Sequence, residues 1–378
     1  MRVLVVTGIW PPDVGGPASH APHVAGWLHD RGHAVEVVTT AATEPAPQAY
    51  PVHWVSRRLP KGVIHLRTTE VVRKRAARAD VVYTTGMFGR SAAGSALARR
   101  RYVVKLTGDP AFERARGLGL VDGDVDEFQS ARGGPIRLLC LARDAELRHA
   151  AHVFCPSAWL RELALSWGVA SERVSVLPNP SPPAQALSPP RDELKRRLGV
   201  NGATLAFAGR LTVQKSLHLA VEAVARADGV ELLIAGEGPG REPLERLVRR
   251  LGVADRVRFL GSQPRERVLD LFRAVDAAIL SSAWENFPHA VVEALTVGTP
   301  VLASTAGGVG EVIRHEENGL LVDRGDVDAL GAAIRRFFGD AGLRERLSAA
   351  AAPSVAAYAP ERVFGELEAT LHRFAARR

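Results

Sequence analysis

Cysteine is nearly absent from this chain: 378 residues hold two, Cys140 and Cys155. A disulfide scaffold is thereby excluded, and the scarcity suits a reducing compartment. Long apolar runs are missing too, and none approaches the roughly 20 residues that span a bilayer. The opening stretch Arg2–Val6 is short, runs into Trp10-Pro11-Pro12 and has no small-residue cleavage site, so it reads as a buried strand and not a signal peptide. Lysine is scarce as well, at five of the 49 basic residues. Where a lysine does stand in a motif, an ammonium in place of a guanidinium carries information.

What is abundant is ordinary core material. Hydrophobic residues make up 46% and charged residues 24%, so burial can offset ordering entropy and disorder is excluded as the dominant state. The length fits two domains, or three, at roughly 100–200 residues each. The net charge of +8 is unevenly spread. Residues 1–190 carry 23 basic and 16 acidic side chains (+7), and residues 191–378 carry 26 and 25 (+1). Within the first half, residues 57–101 carry 12 basic and 2 acidic groups. Such asymmetry points to an anionic partner, with genome-wide arginine bias as the alternative source.

Short β-rich runs alternate with helix-length stretches from the start: Val3–Thr7, Ala34–Thr39, Val52–Ser56, Val81–Thr84, Tyr102–Thr107 and His152–Cys155. Bounded by glycine and proline, they predict βαβ units and a parallel sheet. Six prolines between Pro178 and Pro190 break the pattern and predict a linker. The alternation then restarts with strands at Thr204–Ala208, Val230–Ala235, Val257–Leu260, Ala277–Ser281 and Pro300–Ser304. The expected organisation is a first domain over residues 1–190, joined by a C-terminal helix at 355–378, and a second over 191–354. Two such α/β domains would face each other across a cleft, and open parallel sheets bind ligands at the carboxyl ends of their strands.

Several loops after strands carry candidate chemistry. Gly15 and Gly16 follow the first strand and would let backbone amides approach an anion, with an ordinary tight turn as the alternative. Gly236-Glu237-Gly238-Pro239-Gly240 misses the dinucleotide fingerprint because Arg241 stands at the third glycine, which disfavours a nicotinamide enzyme. No Walker A sequence occurs. Arg210 ends a strand and Lys215 follows five residues later, so two cations could neutralise a diphosphate from two sides. The strongest signal is the run from Ser282 to Ala294. Glu285 stands in a loop, Pro288 marks the start of a helix, and Glu293 lies inside it. The helix N-terminus would favour an anion, and the two carboxylates could accept sugar and ribose hydroxyls. Gly307-Gly308-Val309-Gly310-Glu311 makes a further backbone-lined loop after the next strand.

Together these stretches resemble family 4 of the retaining, nucleotide-sugar-dependent glycosyltransferases with the glycosyltransferase B (GT-B) fold. The matching pieces are Pro11-Pro12…Gly15-Gly16…His20 with Gly32-His33, Gly209-Arg210-Leu211…Lys215, Gly236-Glu237-Gly238-Pro239, Glu285…Glu293 with Gly298-Thr299-Pro300-Val301, and Gly307-Gly308…Glu311…Gly319. The resemblance runs from residue 1 to about 340 and is densest after residue 200. It implies two Rossmann-like, doubly wound parallel-sheet domains, and a hexosyltransferase moving a sugar from a nucleotide diphosphate sugar to a hydroxyl acceptor. Arg210 and Lys215 would grip the diphosphate. Glu285 would accept hydroxyl hydrogen bonds from the transferred sugar, with backbone amides near Phe287 and Pro288 helping to position it; Glu293 would bind the ribose hydroxyls, and Asn286 and Val292 complete the donor-binding set. Gly15 and Gly16 would touch the phosphate. No metal and no cofactor beyond the donor are expected, because two cations and a helix dipole can stabilise the leaving group.

The chain departs from the family pattern at Lys105-Leu106-Thr107-Gly108-Asp109-Pro110, where a histidine is usual and none stands. Asp109 is the candidate replacement, as a catalytic or acceptor-orienting group, with a helix-capping aspartate as the alternative. Arg73-Lys74-Arg75…Arg78 and Arg99-Arg100-Arg101 suggest a face for an anionic membrane, and the resemblance implies that a lipid-linked acceptor fits such a face. The expected location is cytoplasmic, at the inner membrane face. Nucleic acid is disfavoured because the basic stretch lacks interleaved aromatics. The alternatives in function are a nucleotide-sugar epimerase on the same fold and a non-catalytic nucleotide-sugar-binding protein.

Overall fold

A computed structural model describes residues 1–13, 16–131, 133–182 and 189–375. The chain forms two compact units, Met1–Asn179 with Glu361–Arg378, and Pro180–Pro360. The first division falls eleven residues before the expected 190/191 boundary, inside the proline-rich stretch. Of that stretch, residues 183–188 lie outside the described residues.

The first unit contains β1 (Arg2–Val6), β2 (Ala34–Ala41), β3 (Val52–Ser56), β4 (Val81–Thr84), β5 (Tyr102–Lys105), β6 (His152–Cys155) and β7 (Val174–Val176). They form one sheet in the order β3-β2-β1-β4-β5-β6-β7, and every pairing is parallel. Both faces are covered, so the strands read as nearly unbroken apolar runs. Alternate residues serve opposite cores: Leu4, Val6, Val82 and Val104 pack on one side, and Val3, Val5, Tyr83 and Val103 on the other. The helix Pro360–Phe374 closes the second of these cores with Val363, Phe364, Leu367 and Leu371, one stripe of an amphipathic helix. The structure adds β7, which the sequence pattern did not single out.

The second unit contains β8 (Thr204–Ala208), β9 (Glu231–Ala235), β10 (Val257–Gly261), β11 (Ala277–Leu280), β12 (Val301–Ser304) and β13 (Gly319–Val322). Their order is β10-β9-β8-β11-β12-β13, again all parallel. The strand order reverses between β8 and β11. Loops leaving neighbouring strands diverge to opposite faces at such a point, and the opening between them is where open α/β sheets take ligands. The connections after β8 and β11 are the segments that carry Arg210, Lys215 and Glu285.

Among the described residues, no helix is long and apolar enough to cross a membrane.

Candidate functional site

In the second unit the glycine-rich loops pack against one another before any side chain is counted. Gly209 donates its N–H to Ala235 O at 3.0 Å, Leu211 N–H to Glu237 O at 2.9 Å, and Gly240 N–H to Leu211 O at 2.8 Å. This ladder continues the pairing of β8 and β9 beyond the sheet. Gly236 is required by it: its φ is +153°, and a Cβ there would lie 1.8 Å from Gly209 O. The loop after β12 is held just as closely. Gly307 has φ +53°, its Cβ position lies 2.1 Å from Glu285 O, and Gly308 N–H donates to that same carbonyl at 2.9 Å. The family-like glycines therefore shape the backbone of the site.

Two residues singled out from distant segments meet here. Lys215 Nζ donates to Glu285 Oε1 at 2.5 Å, and Ser282 Oγ donates to the same oxygen at 2.6 Å. Glu285 is 4% exposed, so the pair sits in a low-dielectric setting where the ammonium compensates the carboxylate's lost hydration. The backbone around it is pinned across the switch point. Gln214 Nε2 donates to Trp284 O at 3.0 Å, Ala283 N–H donates to Gln214 O at 2.8 Å, and Ser281 Oγ donates to Ser216 O at 3.0 Å. Lys215 ends a short 3-10 turn, Val213–Lys215, and the helix proper begins at Leu217. Arg210 is exposed, and its guanidinium has no hydrogen bond or ion pair among the described residues.

Beyond Glu285, Phe287 is buried, with edge-on contacts to His289 and Tyr358. Pro288 caps the helix His289–Thr296, one position earlier than a proline inside the first turn would stand. Asn286 is half-buried and Val292 buried. Glu293, within that helix, accepts from Arg265 Nε at 3.1 Å. Burial pushes its carboxyl up, and the Arg265 guanidinium pulls it back down. Sequence reasoning gave no role to Ser282, Gln214 or Arg265. Ser282 opens the quoted run and Gln214 precedes Lys215, but only the fold shows what they touch.

In the first unit Asp109 takes up the capping alternative. Asp109 is 1% exposed and caps the helix Pro110–Gly117, accepting from Ala111 N at 2.8 Å. Its other oxygen accepts from Gln129 Nε2 at 3.0 Å and from Arg143 Nη1 at 2.9 Å. Arg143 stacks over the Trp167 ring at 4.0 Å, and Trp167 Nε1 donates to Gln129 Oε1 at 3.0 Å. With both oxygens engaged inside a closed buried network, the carboxylate has no face for an acceptor, and the capping arrangement is the one present. Of the other first-unit candidates, Gly16 opens the helix Gly16–Asp30, and Gly15 lies outside the described residues.

Two family models match this chain: a glycosyl transferase 4-like domain over residues 15–180 and glycosyl transferases group 1 over residues 190–353. One falls in each unit. The chain belongs to the family 4 glycosyltransferases. This glycosyltransferase is 30% identical over 378 residues to a D-inositol 3-phosphate glycosyltransferase of Acidothermus cellulolyticus, covering 89% of the chain and 80% of that protein. It is 39% identical over 157 residues to the lipopolysaccharide core biosynthesis glycosyltransferase LpsE of Rhizobium meliloti. That match covers 42% of the chain and 46%, under half, of the relative. The glycosyltransferase also shares the fold of HepE of Anabaena, solved in complex with UDP, with a TM-score of 0.81 at 21% identity over 99% of this chain and 100% of that one.

Proposed function

We propose that this glycosyltransferase moves a hexose from a nucleoside diphosphate sugar to a hydroxyl acceptor with retention of anomeric configuration and without a metal ion. The observation that carries the reading is the Lys215–Glu285 pair at the switch point of the second sheet, with the unpaired guanidinium of Arg210 on the same strand-end loop as Lys215. The UDP bound in HepE supports a nucleotide donor.

The chemistry follows from charge. A departing nucleoside diphosphate gains negative charge as its bond to the sugar breaks, and Lys215 and Arg210 stabilise that charge where it develops. As Lys215 turns to the phosphates, Glu285 Oε1 becomes free to accept hydroxyls of the sugar, while Ser282 keeps the carboxylate in place. The N-terminus of the helix His289–Thr296, introduced by Phe287 and Pro288, adds a favourable dipole. Glu293, held by Arg265, accepts from the ribose hydroxyls, beside Asn286 and Val292. The acceptor oxygen bonds to the anomeric carbon on the face the phosphate leaves, and its proton passes to the leaving phosphate oxygen. No protein carboxylate forms a covalent intermediate, and Asp109 acts only by capping the helix Pro110–Gly117.

Peripheral attachment to an anionic membrane on the cytoplasmic side, with a lipid-linked acceptor, belongs to the same reading. The helix Lys61–Ala76 exposes Val63 and Leu66 among its basic residues, and Leu97 is exposed at the end of the helix packed beside it. Glu70 and Glu36 neutralise part of the cluster through Arg73 and Arg75, so the attachment is salt-sensitive. Liposome flotation at low salt tests it; absence of binding to anionic vesicles removes this part.

Product analysis by NMR tests the reaction. An α-linked product from an α-linked donor, formed undiminished in EDTA, is the expected outcome. An inverted product, or a loss in EDTA that magnesium or manganese restores, overturns it. A nucleotide sugar changed only in sugar configuration, with no acceptor consumed, would instead point to an epimerase.

A further inference from the structure

Outside the donor loops, the first unit gathers three metal-ligating side chains from two separate segments. Glu368 and His372 stand four residues apart on the helix Pro360–Phe374, so they lie one above the other on one face. His33 arrives from the turn between the helix Gly16–Asp30 and β2. That turn is fixed by backbone bonds: Gly32 N–H donates to His29 O at 2.8 Å and His33 N–H to Leu28 O at 3.0 Å, with Gly32 at φ +81°. This is the paired helix-ending motif in which a left-handed glycine is required. The C-terminal helix is equally fixed, with Val363, Phe364, Leu367 and Leu371 buried in the core beneath it. Both carriers are rigid, which a preorganised site needs.

We propose that His33, Glu368 and His372 form a binding site for a divalent transition-metal ion of the zinc class, which fastens the C-terminal helix to the turn before β2. One ligand atom from each residue lies within 4.8 Å of the others. His33 Nε2 is 2.8 Å from Glu368 Oε1, and the His33 and His372 rings meet edge-on with centroids 5.3 Å apart. Metal–ligand bonds of about 2.0–2.2 Å place neighbouring ligand atoms roughly 3.3 Å apart in a tetrahedron, so modest side-chain rotations complete the geometry. Two imidazoles and a carboxylate match zinc and exclude the hard cations calcium and magnesium, which take oxygen ligands. His372 is exposed, which gives the ion an entry path and leaves a fourth position for water.

An outer partner is already in place. Arg31 Nε donates to Glu368 Oε2 at 2.6 Å, on the oxygen that the ion would not use. Such a contact orients a ligating carboxylate. The Met1 amino group lies 3.3 Å from His33 Nδ1, the ring nitrogen away from Glu368. The Arg31 guanidinium opposes the charge of the ion.

The test is calorimetric titration of zinc chloride into the untagged, chelator-treated full chain, with cobalt(II) absorption as a reporter of geometry. Wild type is expected to take up one zinc per chain, to show the intense visible bands of four-coordinate cobalt, and to melt at a higher temperature with zinc. His372→Ala, at an exposed position and with a wild-type circular dichroism spectrum, is expected to lose all three, and Glu368→Gln to weaken binding at least tenfold. No saturable uptake by wild type, or equal uptake by His372→Ala, overturns the proposal and leaves these residues as a hydrogen-bonded cluster. None of these readouts uses transferase activity, so the outcome is independent of the proposed reaction.

Discussion

Lys215 and Glu285 are separated by 70 residues in sequence and 2.5 Å in space. Each was legible alone, as a scarce lysine after a strand and a carboxylate before a helix; their pairing was not, because nothing local connects them. Removing either member takes away a charge-assisted contact that strengthens as the leaving group departs, worth about 2–4 kcal/mol. Lys215→Ala and Glu285→Gln are each expected to slow transfer by roughly 30- to 1000-fold, read as initial rates on protein with an unchanged melting curve; wild-type rates in either would remove the residue from the site. Asp109 belongs at this scale for the opposite reason. The sequence left it open between chemistry and capping, and Arg143, 34 residues later, decides the matter by taking its second oxygen. Arg143→Leu strands a buried carboxylate and is expected to destabilise the fold by about 3–5 kcal/mol in urea denaturation. The double variant Asp109→Asn with Arg143→Leu is expected to recover part of that loss.

Most strands were legible to within a residue or two, because a parallel strand buried on both faces leaves a short apolar run between turn residues. The two that escaped have physical reasons. β7 is three residues long, and β13 opens on Gly319; both close their sheets at an edge, where little sequence is needed to complete a pairing. A buried cation marks another element. Lys105 ends β5 at 1% exposure, and its ammonium donates to Leu177 O and Pro178 O, at the exit of the unit. Burial lowers its pKa to about 7 from 10.5, with Cys155 and Glu366 opposing. In this window the unfolded chain binds more protons than the folded one, so stability rises with pH from about 7 towards 10.5. Chemical denaturation across that range is expected to show the rise in wild type and its disappearance in Lys105→Met. The loops have their own test. Gly236→Ala forces a Cβ onto Gly209 O and is expected to cost about 1–3 kcal/mol and to weaken nucleotide binding, both visible by thermal melting with and without UDP.

At the scale of the whole chain, two separately cored units predict a melt that ligand shifts unevenly. The candidate donor residues all belong to the second unit except Gly15 and Gly16. A nucleotide that binds only the folded second unit stabilises it by mass action, about 2.7 kcal/mol at a hundred times Kd. Scanning calorimetry with UDP is expected to raise the transition of that unit, and Lys215→Ala to abolish the rise. A panel of nucleoside diphosphates in the same experiment would identify the donor base.

By itself the sequence determined the α/β class, the succession of most strands along the chain and the glycines that loops require. Each of these is written in local periodicity, turn chemistry or a break in composition. Only the tertiary structure decided what each charged residue faces. It placed Lys215 on Glu285, closed Asp109 behind Arg143, and brought His33 to Glu368 and His372. The physical reason is that a charge a few ångströms away in a buried setting fixes what an ionisable group can do, and chain separation carries no record of that distance.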